Sequence, residues 1–248
     1  MFSLEIDSPA GARDLLIADL WELGSAGIVE LGETRVRAFF EAGADRAALL
    51  ARYPGAAVRE EEDRDWVAEA RALLQPMEVG RRLFLIPEWR HDPAPPGRLP
   101  IAVNPGMAFG TGAHETTRLC LEALEDLVKP GLTVLDVGTG SGILAEAARV
   151  LGAGRVIACD IDEVAVQIAG QGFVGSADAV RSATVDLTVA NISPEAIIAL
   201  APEFARILRP GGTLLASGFN VSEVAAVTAA LRPVREVRTK GDWAAVVG

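Results

Sequence analysis

The sequence predicts an α/β protein in two parts. A small ferredoxin-like α+β domain is expected over residues 1–62 and a doubly wound, Rossmann-like parallel sheet over 79–248, with a connecting helix or linker over 63–78. Three observations predict this. The first 62 residues alternate quickly between short strand and helix patterns in the order βαββαβ. The later rhythm slows to longer helices between near-continuous apolar runs, as strands buried on both faces require. Finally, a strand, three glycines, a helix, a second strand and a terminal acid follow one another between residues 133 and 160, the order of a nucleoside-binding βαβ unit.

In the first part, "FSLEID" reads as a strand and "GARDLLIADLWELG" has helical spacing, ending at Gly24. "AGIVELGE" and "TRVRAFFE" form a hairpin-like pair around Gly32, Glu33 and Thr34. "ADRAALLARYP" is a second short helix and "AAVREEE" a last strand. Next, "EDRDWVAEARALL" places Trp66, Ala70, Leu73 and Leu74 at helical spacing before Pro76 stops it. "RRLFLIPEW" is a strand, "HDPAPPGRLP" a proline-rich loop, and "IAV" a short strand after it. The apolar runs "LTVLDVG", "RVIACD", "VDLTVAN" and "TLLASGF" are the strands of the second part.

Composition limits the function. Half of the 248 residues are hydrophobic, enough for a substantial core. No long charge-free apolar run marks a membrane span, and "MFSLEIDSPAGARD" lacks the basic and apolar regions of a signal peptide, so a cytoplasmic protein is expected. Cys120 and Cys159 lie in apolar runs and read as reduced core thiols. A net charge of −11 argues against a broad nucleic-acid surface, which needs basic patches. Residues 1–66 hold 14 Asp or Glu against 7 Arg and no Lys, so an acidic front domain could attract a basic partner or simply be solvated.

"TVLDVGTGSGILAEAARVLG" is the strongest signal in the chain. Glycines at 138, 140 and 142 permit a tight turn and close approach of a ligand to the backbone. Asp160 stands 22 residues after Gly138, placed to bind ribose hydroxyls. The dinucleotide fingerprint would put its third glycine where Ile143 stands. Asp136, two residues before the first glycine, would repel a pyrophosphate but suit a cationic amino group. The pattern resembles the first motif of class I S-adenosylmethionine-dependent methyltransferases.

"NPGMAFGTGAHETT" at 104–117 could cradle a phosphate, hold a metal or close over a cofactor. It lacks the Gly-Lys-Ser/Thr ending of a P-loop, and His91 and His114 are the only histidines, too few for a zinc cluster. His114 reads equally as a local hydrogen-bonding residue at a helix start or as part of a substrate entrance. "GMAFGTGAHETT", "GRRLFLIPEW", "DVGTGSGILA", "CDID" and "VANI" together resemble the ribosomal protein L11 methyltransferase family over nearly the whole chain.

The resemblance implies a ferredoxin-like substrate-recognition domain before a class I methyltransferase domain. It also implies S-adenosyl-L-methionine as cofactor and amino groups of a large-subunit ribosomal protein as acceptors, with no metal and no direct nucleic-acid partner. Phe109, Gly110 and Thr111 would lie in a loop over the cofactor, with Thr117 contacting it from the next helix. Asp136, Gly138, Gly140 and Asp160 would complete the cofactor site. Asn191 would face cofactor and acceptor and carry the catalytic role, unless it only caps the next helix. Nucleobase methyltransferases carry an aromatic ring just after this asparagine; Ile192 and Ser193 stand here, which suits an aliphatic amine.

The chain departs from the family after "CDIDEVAVQIAG". Only "QGFVGSADAVRSAT" precedes the next strand, so Ser176 and Ala177 are expected to replace a longer adenine wall. Three readings stand at this point: a monomeric ribosomal-protein methyltransferase, a methyltransferase of the same build acting on another protein such as an electron-transfer flavoprotein, and a non-catalytic binding protein.

Overall fold

The computed structural model describes residues 1–8, 13–31, 34–60, 75–103, 114–170 and 172–248. Gly32 and Glu33 of the first hairpin, most of the expected connecting helix (61–74), and residues 104–113 with Phe109, Gly110 and Thr111 lie outside the described residues. The chain divides into two compact units, Met1–Leu73 and Leu74–Gly248.

The first unit contains β1 (Phe2–Asp7), α1 (Arg13–Glu22), β2 (Gly27–Glu30), β3 (Arg35–Phe40), α2 (Arg46–Arg52) and β4 (Ala57–Glu60). Its sheet has the order β2-β3-β1-β4 with every pair antiparallel, the split-βαβ arrangement. Strict alternation sends Phe2, Leu4 and Ile6 of β1 and Val36, Ala38 and Phe40 of β3 into one core with Leu20 and Leu49. Asp45 caps α2 by accepting a hydrogen bond from the Ala48 amide at 3.0 Å.

The alternate residues of β1 and β3 carry charge. Glu5 pairs with Arg37 and Arg59, Asp7 with Arg35, and elsewhere in the unit Asp19 pairs with Arg52 and Glu60 with Arg46. The five arginines between residues 34 and 60 are thus all engaged. The face of the sheet away from its core, with Glu5, Asp7, Arg35, Arg37 and Arg59, is nearly charge-balanced, so the unit's acidic excess is carried elsewhere.

The second unit opens with β5 (Met77–Val79), β6 (Leu83–Pro87) and β7 (Leu99–Val103), a small sheet in which β5 pairs antiparallel and β6 and β7 pair parallel. β5 begins inside the stretch expected to be linker; its three residues are too few to show alternation. Then come α3 (Glu115–Leu127), β8 (Thr133–Val137), α4 (Ile143–Val150), β9 (Arg155–Asp160), α5 (Glu163–Ala169), β10 (Phe173–Val174), β11 (Val185–Asn191) and α6 (Pro194–Ile207). β12 (Leu208–Asn220), α7 (Val224–Ala230), β13 (Glu236–Lys240) and β14 (Trp243–Val247) complete it.

The seven-stranded sheet runs β10-β9-β8-β11-β12-β14-β13, parallel except at β14. α3 and α4 cover one face through Leu121, Leu124, Leu144 and Ala148, and α6 and α7 the other through Ile197, Phe204 and Val227. β10 and the β13–β14 hairpin go beyond the strands anticipated from the sequence. β10 is a two-residue strand between Gly172 and Gly175, and β13 is a charged edge strand without an apolar face.

One buried carboxylate joins the small sheet to α3. Glu125, its side chain only 1% exposed, accepts hydrogen bonds from the backbone amides of Arg81 at 2.9 Å and Arg82 at 2.7 Å. Gly80 sits at φ +55° directly against that carboxylate, where a Cβ would collide with it. Glu125→Gln places an NH2 donor among these amide donors. It should cost roughly 1–3 kcal/mol of stability, read as a lower urea midpoint with an unchanged m-value. A midpoint equal to wild type would show that the turn is held by other contacts.

Candidate active site

Strand order reverses between β8 and β11, so helical connections leave those neighbours in opposite directions and open a crevice at their carboxyl ends. Three adjacent strands end there: β9 at Asp160, β8 at Val137 just past Asp136, and β11 at Asn191. A cavity of about 600 Å³ occupies the crevice. Gly138, Gly140, Asp160 and Ser176 line one side, and Thr117, Asn191, Gly218, His114 and Trp243 the other.

The glycine turn after β8 is held by the strand beside it. The amides of Gly138 and Thr139 both donate to the Cys159 carbonyl, at 2.9 and 3.0 Å. Gly138, Gly140 and Gly142 have φ of +70°, +53° and +80°, the left-handed region where a side chain is strained. Ile192 packs directly against Gly138 and its backbone against Gly218, leaving room for a Cβ at neither.

Asp160 is anchored on both carboxylate oxygens. Oδ2 accepts from the Gly140 amide at 2.9 Å and Oδ1 from the Asp162 amide at 3.0 Å. Each oxygen keeps a second acceptor site, so the carboxylate lines the cavity pre-oriented. Ser176 lines the same side, at the start of a single 3₁₀ turn (Ala177–Ala179) that follows β10. The shortened stretch therefore supplies Gly175 and Ser176 to the wall, whereas Ala177, expected beside Ser176, is buried in the core under the sheet instead.

Asp136 does not line the cavity. It is fully buried beneath the turn, where Oδ2 accepts from Thr139 Oγ1 at 2.7 Å and from the Ala145 amide at 3.1 Å. One carboxylate thus ties the glycine turn to the first turn of α4. Oδ1 has no hydrogen-bond partner among the described residues. Burial pushes the carboxyl up to about 6, against the lowering effect of the two hydrogen bonds.

Asn191 is half-buried, and its Nδ2 donates to Thr117 Oγ1 at 3.4 Å. Its Oδ1 is buried and has no hydrogen-bond partner among the described residues. Helix capping is not its role: Ser193 caps α6, accepting from the Ala196 amide at 3.3 Å, with Pro194 at the first helical position. His114 combines the two readings its sequence allows. Its Nδ1 accepts from the Thr116 amide at the head of α3, and its ring lines the cavity.

Trp243 and Gly218 are cavity residues that sequence reasoning missed, whereas Ile192, read from the sequence as standing at the acceptor site, does line the cavity. Trp243 had one signal, a lone indole after the Gly241-Asp242 turn, but its position depends on β14 inserting beside β12. A residue pair such as Gly138 and Gly218, far apart in sequence, betrays its shared contact with Ile192 only in three dimensions.

Residues 28–248 match the family described as ribosomal protein L11 methyltransferase (PrmA). A protein named ribosomal protein L11 methyltransferase from Symbiobacterium thermophilum is 40% identical over 97% of this chain and 83% of its own length. One of the same name from Pelobacter propionicus is 36% identical over 97% of this chain and 94% of its own. The crystal structure of ribosomal protein L11 methylase from Lactobacillus delbrueckii subsp. bulgaricus superposes with a TM-score of 0.64 at 32% identity, covering 70% of this chain and 97% of that one.

The raised Asp136 pKa has a defined effect on stability. The folded chain takes up this proton near pH 6, the unfolded chain only near 3.8. The group therefore favours folding most fully below pH 3.8, and that contribution is lost as pH rises through 6. Asp136→Asn does not titrate, so its stability relative to wild type should improve between pH 4 and pH 7.5, by at most about 3 kcal/mol. Chemical denaturation across that range measures it; a constant gap would mean that Asp136 is not buried in a dry site.

Proposed function

Because the chain belongs to the ribosomal protein L11 methyltransferase family, we propose that it moves methyl groups from its cofactor, S-adenosyl-L-methionine, to lysine side-chain and N-terminal amines of that ribosomal protein. The observation that carries the amine reading is the Asn191 Oδ1 at the cavity wall, which has no partner among the described residues. Relatives at 36–43% identity share one name, which favours this acceptor over another protein.

The residues present fit the cofactor. We assign the anchored Asp160 carboxylate to the ribose hydroxyls, the Gly138–Gly140 backbone to close ligand approach, and Ser176 to the adenine side. Phe109, Gly110 and Thr111 keep the covering-loop role that their motif implies. Asp136 acts from beneath, by fixing the turn and by adding negative charge under a cation. When bound, S-adenosylmethionine supplies a methyl on a sulfonium; its S–C bond breaks as the N–C bond forms, and the electron pair stays on sulfur.

Asn191 has its amide orientation set by the bond from Nδ2 to Thr117 Oγ1. Its oxygen can therefore accept an N–H from a neutral amine and turn the nitrogen lone pair toward the methyl. Lysine is about 3.4 units above pH 7 in pKa, so deprotonation costs roughly 4–5 kcal/mol in water. An apolar cavity and a neighbouring cation both disfavour the ammonium form and reduce that cost. The remainder is positioning. We assign the first unit to recognition of the protein substrate, in a monomer.

The direct experiment is methyl transfer from S-adenosylmethionine to purified ribosomal protein L11, with the modified amines located by mass spectrometry. Absence of amine methylation would sink the proposal. Asp160→Ala should weaken cofactor binding about tenfold or more, since charge-assisted hydrogen bonds contribute ~1.5–3 kcal/mol; wild-type affinity by calorimetry would place the ribose elsewhere.

Asn191→Asp separates orientation from mere packing. It keeps an acceptor but adds a charge that favours the unreactive ammonium form. Turnover should fall near pH 7 and recover in part as pH rises. A loss equal at every pH would rule out the orienting role.

A further inference from the structure

We propose that the Trp243 indole, braced by His114, is the acceptor-side wall of the cavity and holds the methylammonium head of a partly methylated amine between transfers. This rests on the amine-methylation reading and extends it to successive methylation of one nitrogen.

Position comes first. The cofactor-side residues stand on β8, β9 and the segment after β10, whereas Trp243 begins β14, opposite Asn220 at the end of β12. β14 lies two strands beyond β11, on the other side of Asn191. At roughly 4.8 Å per strand, the Ala245 backbone is about 10 Å across the sheet from that of Asn191, and Trp243 stands two residues further along β14. Its side chain shares the sheet face of Ala245 and Val247, packs against the core under α3, and reaches the cavity.

The ring is also held in place. His114 lies against it edge-on, with centroids 4.7 Å apart and planes at 68°. His114 cannot swing away, because Nδ1 accepts from the Thr116 amide at 3.3 Å and lies 2.8 Å from Thr116 Oγ1. With Nδ1 accepting from the Thr116 amide, the ring presents its N–H at Nε2. An indole face attracts quaternary and partly methylated ammonium groups more strongly than other side-chain rings do.

Successive methylation creates the need for such a wall. Each transfer adds a methyl to the nitrogen lone pair and gives an ammonium, which must release one proton to water before the next round, so that the net change per round is N–H to N–CH3. A primary amine has two N–H groups to offer Asn191 Oδ1, and a dimethylated amine has none. The asparagine's hold therefore weakens as methylation proceeds, while methyl contact with an aromatic face grows. A carboxylate in the same place would hold the cation but also favour its protonated form. An aromatic ring attracts it more weakly and so favours the protonated form less than a full charge would.

The test needs no turnover. Binding of an Nε-trimethyl-lysine amide, and of its neutral isostere with carbon in place of nitrogen, is measured by calorimetry on the full chain saturated with S-adenosylhomocysteine. Wild type should prefer the charged probe about 3- to 30-fold. Trp243→Leu should erase that preference and Trp243→Phe retain part of it, both with wild-type affinity for S-adenosylhomocysteine as the check on folding. Equal affinity for the two probes in wild type, or a preference surviving in Trp243→Leu, overturns the proposal. On ribosomal protein L11 the Leu variant should accumulate mono- and dimethylated product. Wild type that binds the charged probe but methylates no amine contradicts the acceptor reading alone, whereas active wild type without probe preference contradicts only the role of Trp243.

Discussion

The site depends on a buried carboxylate holding a strained turn. Asp136 Oδ2 joins Thr139 to the Ala145 amide, so β8, the glycine turn and α4 are fixed to one another by a single oxygen. Without that tie, three glycines in the left-handed region would have the conformational freedom that makes glycine costly to order. The carboxylate's burial raises its pKa, a cost accepted in stability at neutral pH. A cation bound in the cavity above would offset this cost.

A second constraint spreads from the same place. Ile192 fills the space that side chains at Gly138 and Gly218 would need, so the ends of β8, β11 and β12 interlock around it. This fixes Asn191, the preceding residue, at the switch point, and Thr117 then sets its amide. Asp160 is held by two backbone amides of its own neighbourhood. The polar groups of the cavity are therefore positioned before any ligand arrives, as catalysis by positioning requires.

The first unit is built on a different principle. Its core is eight apolar side chains on one sheet face and two helices, while the other face is a lattice of arginine–carboxylate pairs. Exposed pairs of this kind add little stability each. They do mask charge: Glu5 and Asp7 are already answered by arginines, so a basic partner would be drawn toward acids elsewhere in the unit.

The sequence by itself determined the parts whose signals are local. Alternation of apolar residues placed β1 and β3, buried runs placed β8, β9, β11 and β12, and the spacing from Gly138 to Asp160 marked a nucleoside site, because strand period, glycine torsion and turn length are properties of consecutive residues. Tertiary structure alone decided the rest. Asp136 and Asp160 each end a strand beside glycines, yet packing of α4 over β8 sends the first under the turn while the second lines the cavity. Trp243 joins the site only because β14 inserts beside β12, and although Asn191 and Ser193 both line the cavity, the Ser193 hydroxyl is engaged in capping α6. Such outcomes depend on contacts between residues dozens of positions apart, and no local pattern encodes them.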